Sequence, residues 1–325
     1  MTPALQLEIL DLRHFSAASL RPLLDAESRL WSERLEWDYR SSADLLLQYL
    51  DSRLLPGYVA IENGRVSGYV FCVYEEHKAV IGDVFAVKSQ YSDSSAAEIE
   101  SRLLESLIEL LQGSPGVERI ESQLLLHPSG EQKEVFERSG FQIYTRLFMR
   151  LALNRTRKYT LPPAPQGYHV RQWREDDFNN AARLIADAYR DHLDSHINDQ
   201  YRSVAGSLRF LHNIIRFPGC GFFDASASRV LVHTATNHLT GLLLCSRVRE
   251  DVGHITQLCV SKECQGLGIG AMLVEHCASH LASHGFKSLT LTVTMGNKNA
   301  VRLYERVGFE AMHRFDAMLW EKNAG

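Results

Sequence analysis

The chain has 325 residues, 45% of them hydrophobic and 23% charged, with a net charge of −4. That length favours two domains with ordinary globular cores. The small net charge, without a run of like charges, excludes a surface dedicated to nucleic acid or an anionic membrane, and the longest apolar stretches are too short to span a bilayer.

From the start of the chain, MTPALQLEILDLRHF shows no basic stretch followed by an apolar one, so no secretory signal is expected. Residues 5–10 (LQLEIL) predict a short strand, and helical stretches rich in Leu, Ala and charge follow. The runs GYVAI, VSGYVFCVY and VIGDVFAV are β-rich; 98–113 carries a long helical pattern and 118–126 (ERIESQLLL) another strand signal. Residues 154–167, NRTRKYTLPPAPQG, then read as a linker, because proline neither donates to a sheet nor continues a helix. After it the order repeats. A strand at 168–173 (YHVRQW) leads through helical stretches to SRVLVHTA, LTGLLLCSRV and HITQLCV, a helix over 269–285 and a strand over 287–293.

The repetition extends to residues. EVFERSGFQIYTRLFMRL (134–151) and RLYERVGFEAMHRFDAML (302–319) align without gaps at an offset of 168, matching Glu137/Glu305, Arg138/Arg306, Gly140/Gly308, Phe141/Phe309 and Arg146/Arg314. Phe136 falls opposite Tyr304. A mixed-sheet α/β unit occurring twice is expected, as domains 1–153 and 168–325 joined by 154–167.

The six cysteines form no C-x-x-C pair, and Cys259 and Cys264 lack partners at zinc spacing. Buried thiols in a reducing cytoplasm and no metal are expected.

The stretch TQLCVSKECQGLGIGAML (256–273) concentrates the chemistry. A strand ending at Val260 gives way to Gly266, Gly268 and Gly270 and then to an amphipathic helix with Ile269, Met272, Leu273, Cys277 and Leu281 at helical spacing. A helix starting after bare backbone offers unpaired N–H groups and the positive end of its dipole, which suits a phosphate or pyrophosphate. A nucleoside-triphosphate loop needs Lys and Ser/Thr where Ala271 and Met272 stand. A dinucleotide turn needs its first glycine directly at the strand end and a carboxylate after the next strand, and LTLTVTMGN has none. A turn without a ligand is the remaining alternative from the residues alone.

Together with NKNAVRLYERVGF (297–309), this stretch resembles the acetyl-CoA-binding loop and following helix of the GNAT N-acetyltransferase superfamily, a likeness covering residues 168–325. The resemblance implies two tandem GNAT-like domains, each a mixed, largely antiparallel twisted sheet flanked by helices. It implies acetyl-CoA as cosubstrate, held by the backbone of Leu258, Cys259 and Val260 and by Gln265, Gly266, Leu267, Gly268, Ile269, Gly270 and Ala271, with Asn297 also touching it. Tyr304 matches the tyrosine beside the thioester sulfur, the expected general acid.

Acyl transfer to an amine also requires a base, since an alkylamine with pKa near ~10.4 is protonated at neutral pH. His254, at the head of HITQLCV, is the expected base; strict alternation would set it on one strand face with Thr256 and Leu258. Glu250, Asp251 and the cluster His192, Asp194 and His196 are the alternatives. The first half has Asp93, Glu98 and Glu100 where the glycines would be and Phe136 in place of the tyrosine, so no donor is expected to bind there.

The expected function is N-acyl transfer from acetyl-CoA to a small-molecule or protein amine, by a monomer or homodimer. A CoA-binding sensor with little turnover, or a tandem acetyltransferase of thiol biosynthesis like mycothiol synthase, are the alternatives.

Overall fold

A computed structural model describes residues 7–88, 95–154, 159, 161–217, 219 and 221–322. Within them the chain forms two compact units, one comprising Met1–Leu35, Tyr39–Thr145 and Phe315–Gly325, the other Glu36–Asp38 and Arg146–Arg314. Asp93 and most of the basic part of the proline-rich segment lie outside the described residues.

The first unit opens with β1 (Glu8–Asp11), α1 (Ala17–Leu35) and α2 (Arg40–Asp51), and continues through β2 (Gly57–Glu62), β3 (Arg65–Glu75), β4 (Lys78–Ala86), α3 (Ala96–Gly113), β5 (Arg119–Gln123) and α4 (Lys133–Arg138). β1 to β4 pair antiparallel in chain order. The crossover helix α3 returns the chain so that β5 lies parallel to β4, as a strand–helix–strand connection requires. Ile99, Leu103, Leu107 and Leu111 recur at helical spacing on α3 and are buried against this sheet, as is Phe136 of α4.

The second unit begins with β6 (Gln142–Ala152), of which Arg146–Ala152 belong to it, then runs through β7 (Tyr168–Gln172), α5 (Phe178–Ala188), α6 (Leu193–Ile197), α7 (Val204–Arg216), β8 (Phe222–Phe223), β9 (Arg229–His233), β10 (Leu239–Arg249), β11 (Val252–Val260), α8 (Ile269–Ser283), β12 (Ser288–Thr294) and α9 (Lys298–Val307). β7, β9, β10 and β11 pair antiparallel, and β12 lies parallel to β11 after the crossover of α8. The strands and helices expected from periodicity are present in both halves. The sequence repeat is also a structural one: the N–H of Phe141 meets the carbonyl of Phe136 as that of Phe309 meets Tyr304, and each ring pair packs edge-on.

The units do not follow the boundary expected at 154–167. β6, which closes the first half in sequence, pairs antiparallel with β12 across seven residue pairs, Arg146–Ala152 against Ser288–Thr294. The final strand β13 (Glu310–Glu321) pairs instead with β5, Ala317–Glu321 against Arg119–Gln123. Leu147, Met149 and Leu151 of β6 are buried in the same core as Leu273, Cys277 and Leu281 of α8. Met318 of β13 is buried with Leu103 and Phe136. Each buried aliphatic side chain contributes on the order of 1.5–3 kcal/mol, so neither core is complete without its borrowed strand.

A chain starting at residue 168 therefore lacks the strand that covers β12. It is expected to be insoluble or to melt without cooperativity, whereas the full chain melts cooperatively by circular dichroism; an excised 168–325 with a cooperative transition near that of the full chain would contradict this.

Candidate active site

β11 and β12 are hydrogen-bonded only from Val252↔Ser288 to Ile255↔Leu291, although β11 continues to Val260. On its other side, β11 carries a bulge: Cys245 faces Ile255 and Leu244 faces Gln257, which leaves Thr256 as the extra residue. A bulge shifts the alternation by one. Gly253 and Ile255 lie against the α8 side, with Leu289 and Leu281 in reach, and beyond the bulge Leu258 and Val260 take over that side. Cys259 packs with α5 and α7, and Gln257 meets Tyr189 just past α5. His254 thus shares a face with Gln257 and Cys259, not with Thr256 and Leu258 as strict alternation predicts.

The turn after β11 is tied to it by Gln265, whose Nε2 donates to the carbonyl of Val260 at 3.2 Å. Gly268 is left-handed (φ 76°), a conformation costly for any residue with a Cβ, and it starts α8 without a side-chain cap. The N–H of Met272 makes the first bond back to Gly268, so the preceding amides of the helix start have no intrahelical partner. No acid stands in the first turn. Gly270 serves differently. A Cβ there would come within 2.7 Å of the Leu303 side-chain end on α9, so the bare backbone at this position lets Leu303 pack close.

These elements border a cleft of about 980 Å³, at the upper end of the ~300–1,000 Å³ usual for ligand pockets. Leu258, Cys259, Val260, Gln265, Gly266, Gly268, Ile269, Gly270, Ala271, Asn297 and Tyr304 all line it; of the expected residues only Leu267, whose side chain is exposed, and His254 do not. Tyr189, His192, Cys264, Arg302 and Arg306 also line it. Arg302 and Arg306, four apart on α9, share one helix face. Tyr189 and His192 come from a segment with no motif. Among the described residues no carboxylate lines the cleft, and two guanidinium groups do, which suits an anionic ligand.

Asn297 caps α9, its Oδ1 accepting from the N–H of Ala300 at 3.2 Å. Its Nδ2 lies 3.4 Å from His192 Nε2, while His192 Nδ1 accepts from the N–H of Asp194 and stands 3.6 Å from that carboxylate. Asp194 is itself held by the hydroxyl of Thr294 at 2.5 Å. The Tyr304 ring is buried and packs edge-on against Phe309. Burial raises its phenol above the ordinary range, and the charge of Asp194 raises it further. It is a proton donor at neutral pH. Burial likewise pushes the Cys259 thiol up to about 12, so it is not a thiolate nucleophile.

His254 lies in the core. It is 5% exposed, with its ring between Trp37 and Phe148 at centroid distances of 4.9 and 6.2 Å. The hydroxyl of Thr290 donates to the carbonyl of Gly253, so Nδ1–H of His254 is the donor in the 2.9 Å contact with Thr290. Burial, with the Arg146 charge nearby, lowers this imidazole to about 3.

The first unit has the same backbone plan with a different filling. β4 and β5 also part company after Ile81↔Ser122, and Gly82 is the bulge. The start of α3 is closed by its own side chains, Ser95 and Glu98 forming a reciprocal capping box. Glu100 is buried, with Oε1 accepting from the N–H of Ala86 at the end of β4 and Oε2 meeting His127 and Gln132.

Residues 169–309 match the acetyltransferase (GNAT) family. A mycothiol acetyltransferase of Geodermatophilus obscurus is 32% identical over 148 residues, 45% of this chain and 45% of that protein. N-alpha-acetyltransferase 60 of Xenopus tropicalis is 29% identical over 42% of this chain and 57% of its own length. The match thus spans about half the length of these curated relatives. A solved GCN5-related N-acetyltransferase from Sphaerobacter thermophilus overlays 98% of this chain and 96% of its own, with TM-score 0.67 and 15% identity. A tandem GNAT protein from the clavulanic acid biosynthesis pathway overlays 98% of this chain and 100% of its own, with TM-score 0.61 and 14% identity. At such identities the likeness is one of fold, and it covers both halves: two GNAT-like domains in tandem.

The environment of His254 has a consequence for stability. The imidazole protonates near 6.5 in the unfolded chain and only near 3 in the folded one, so between those values the unfolded state binds the extra proton. Stability is therefore lost as pH falls from about 6.5 toward 3. The melting temperature of the wild type should drop more between pH 7 and pH 4 than that of His254→Gln; parallel drops would show that His254 does not couple to folding.

Proposed function

We propose that the protein transfers an acetyl group from acetyl-CoA to an amine by direct attack, a reading that proceeds from the match of residues 169–309 to the acetyltransferase (GNAT) family. The open helix start at α8 carries the reading. Amides without intrahelical partners, the dipole of a 15-residue helix and the cations Arg302 and Arg306 face a cleft with no lining carboxylate, which suits a diphosphate. Gln265 to Ala271 would hold that diphosphate, and Leu258 to Val260 the pantetheine arm.

Tyr304 is the proposed general acid. Its hydroxyl is protonated at working pH and belongs to the wall of the cleft, where it can donate to the departing thiolate as the C–S bond breaks. The base is reassigned from His254 to His192. His254 is buried and lies outside the cleft lining, whereas His192 lines it with Tyr304 and is backed by Asp194. In the reaction the amine nitrogen bonds to the acetyl carbon, its proton passes to the Nε2 lone pair of His192 in the tautomer that carries its own proton on Nδ1 toward the Asp194 carboxylate, the C–S bond breaks, and the thiolate takes a proton from Tyr304.

The first unit is proposed to bind no donor, since its helix start is self-capped and Glu100 already occupies the strand-end amide. The acceptor is proposed to be a small-molecule or protein amine. The relatives named mycothiol acetyltransferase and N-alpha-acetyltransferase 60 support an amine acceptor. Five buried free cysteines among the described residues support a reducing, cytoplasmic location. No described helix is long and apolar enough to cross a membrane.

Release of free CoA from acetyl-CoA across a panel of amines tests the activity, and binding without release would favour a sensor. Tyr304→Phe is expected to lower kcat by about 10²–10⁴-fold, the usual range for general acid–base help, with little change in acetyl-CoA affinity. His192→Gln should lower kcat by about 10²–10⁴-fold, whereas His254→Gln should leave it near the wild-type value; the reverse pattern would restore His254 as the base.

A further inference from the structure

We propose that Gln257 is a placeholder for the donor: its carboxamide oxygen holds the Leu258 amide that the donor's own carbonyl takes on binding. The inference rests on the donor reading above and concerns a residue that it does not use.

Leu258 lies beyond the last residue pair joining β11 to β12, and both of its backbone polar groups are engaged by side chains. Its N–H donates to Gln257 Oε1 at 2.9 Å, and its carbonyl accepts from the Tyr189 hydroxyl at 3.4 Å. Tyr189 also donates to Gln257 Oε1, at 2.8 Å, so the three groups form a closed ring at the cleft wall. The interaction at Leu258 is a carboxamide oxygen on a backbone N–H. The pantetheine arm carries two amide carbonyls and the thioester a third, each able to make the same bond.

The carboxamide is only half satisfied. Gln257 is 4% exposed, and its Nε2 has no hydrogen-bond partner. A buried donor left unpaired calls for an explanation, and exchange with the donor supplies one. Turning the carboxamide away from Leu258 frees the amide for the donor and gives Nε2 the chance to find an acceptor. The bulge at Thr256 makes this possible, because it sets Gln257 on the α5 side and Leu258 on the α8 side of one strand.

The first unit supplies an independent instance. The residue after its bulge is Asp83, and Asp83 Oδ1 accepts from the N–H of Val84 at 2.8 Å, the same one-residue hold at the same place in the repeat. There the hold is permanent. Asp83 is buried against Glu27, and desolvation raises both carboxyl groups, so the pair retains a proton. In the second unit the neutral Gln257 is free to let go.

The test uses the full chain and acetyl-CoA, with affinity read by calorimetry. Gln257→Met keeps the length of the side chain and removes the competing oxygen. It is expected to tighten acetyl-CoA binding by about two- to tenfold, the net worth of one hydrogen bond, because the empty state loses its substitute contact. Unchanged or weaker binding by this variant overturns the proposal while leaving the donor reading intact. A wild type that binds no acetyl-CoA defeats both. Should the variant not fold, the wild type decides by NMR: the Gln257 side-chain NH₂ signals should shift on addition of acetyl-CoA while the Leu258 amide stays protected from exchange. Side-chain signals that do not move would refute it.

Discussion

Four residue pairs of parallel sheet, Val252–Ile255 against Ser288–Leu291, hold β11 to β12, and the site depends on where that pairing stops. A backbone amide inside a sheet is spent on its neighbour strand. Past Ile255 the amides of β11 are not spent on β12, that of Leu258 being held by the Gln257 side chain, and the turn that follows delivers the chain directly into the start of α8. Strand amides free of a neighbour strand and helix amides without intrahelical partners are thereby brought to one cleft, without any catalytic side chain being needed to create the polarity. The polar atoms are main-chain atoms, so their placement is as rigid as the sheet itself.

The two halves show how the same plan is kept open or closed by a few side chains. In both, the parallel pair parts after an isoleucine and a bulge follows within one residue. In the first half side chains take these groups: Ser95 and Glu98 cap the helix, Glu100 takes the Ala86 amide at the strand end, and Asp83 takes that of Val84, two residues earlier. The second half leaves its helix start uncapped and places glycine where a side chain would intrude. The two halves of one fold differ in which helix-start amides are already used.

Charge placement follows the same logic. Among the described residues the cleft is lined by guanidinium groups and no carboxylate, while Asp194 stands behind His192 and Thr294, away from the cleft lining. His254, by contrast, is stacked between aromatic rings with Nδ1–H tied to Thr290, and burial keeps it neutral across physiological pH. A strand histidine near an active site is not thereby a base; its solvation decides.

Much was legible in the sequence because it is local. The strand and helix pattern follows from side-chain periodicity, the duplication from matched residues at a constant offset, and the anion-binding turn from three glycines between a strand and an amphipathic helix. Eleven of the thirteen expected site residues line the cleft because they sit in, or next to, those local motifs. Three features needed the tertiary structure. The exchange of β6 and β13 could not be read, because the duplicated segments are alike enough that either fits either sheet, and only packing against α8 or α3 distinguishes them. The bulge at Thr256 inverts the strand's faces, and a bulge leaves no mark on composition. The company of Tyr304, namely Tyr189 and His192, comes from a segment more than a hundred residues away in the chain, and spatial proximity of that kind exists only once the core has formed.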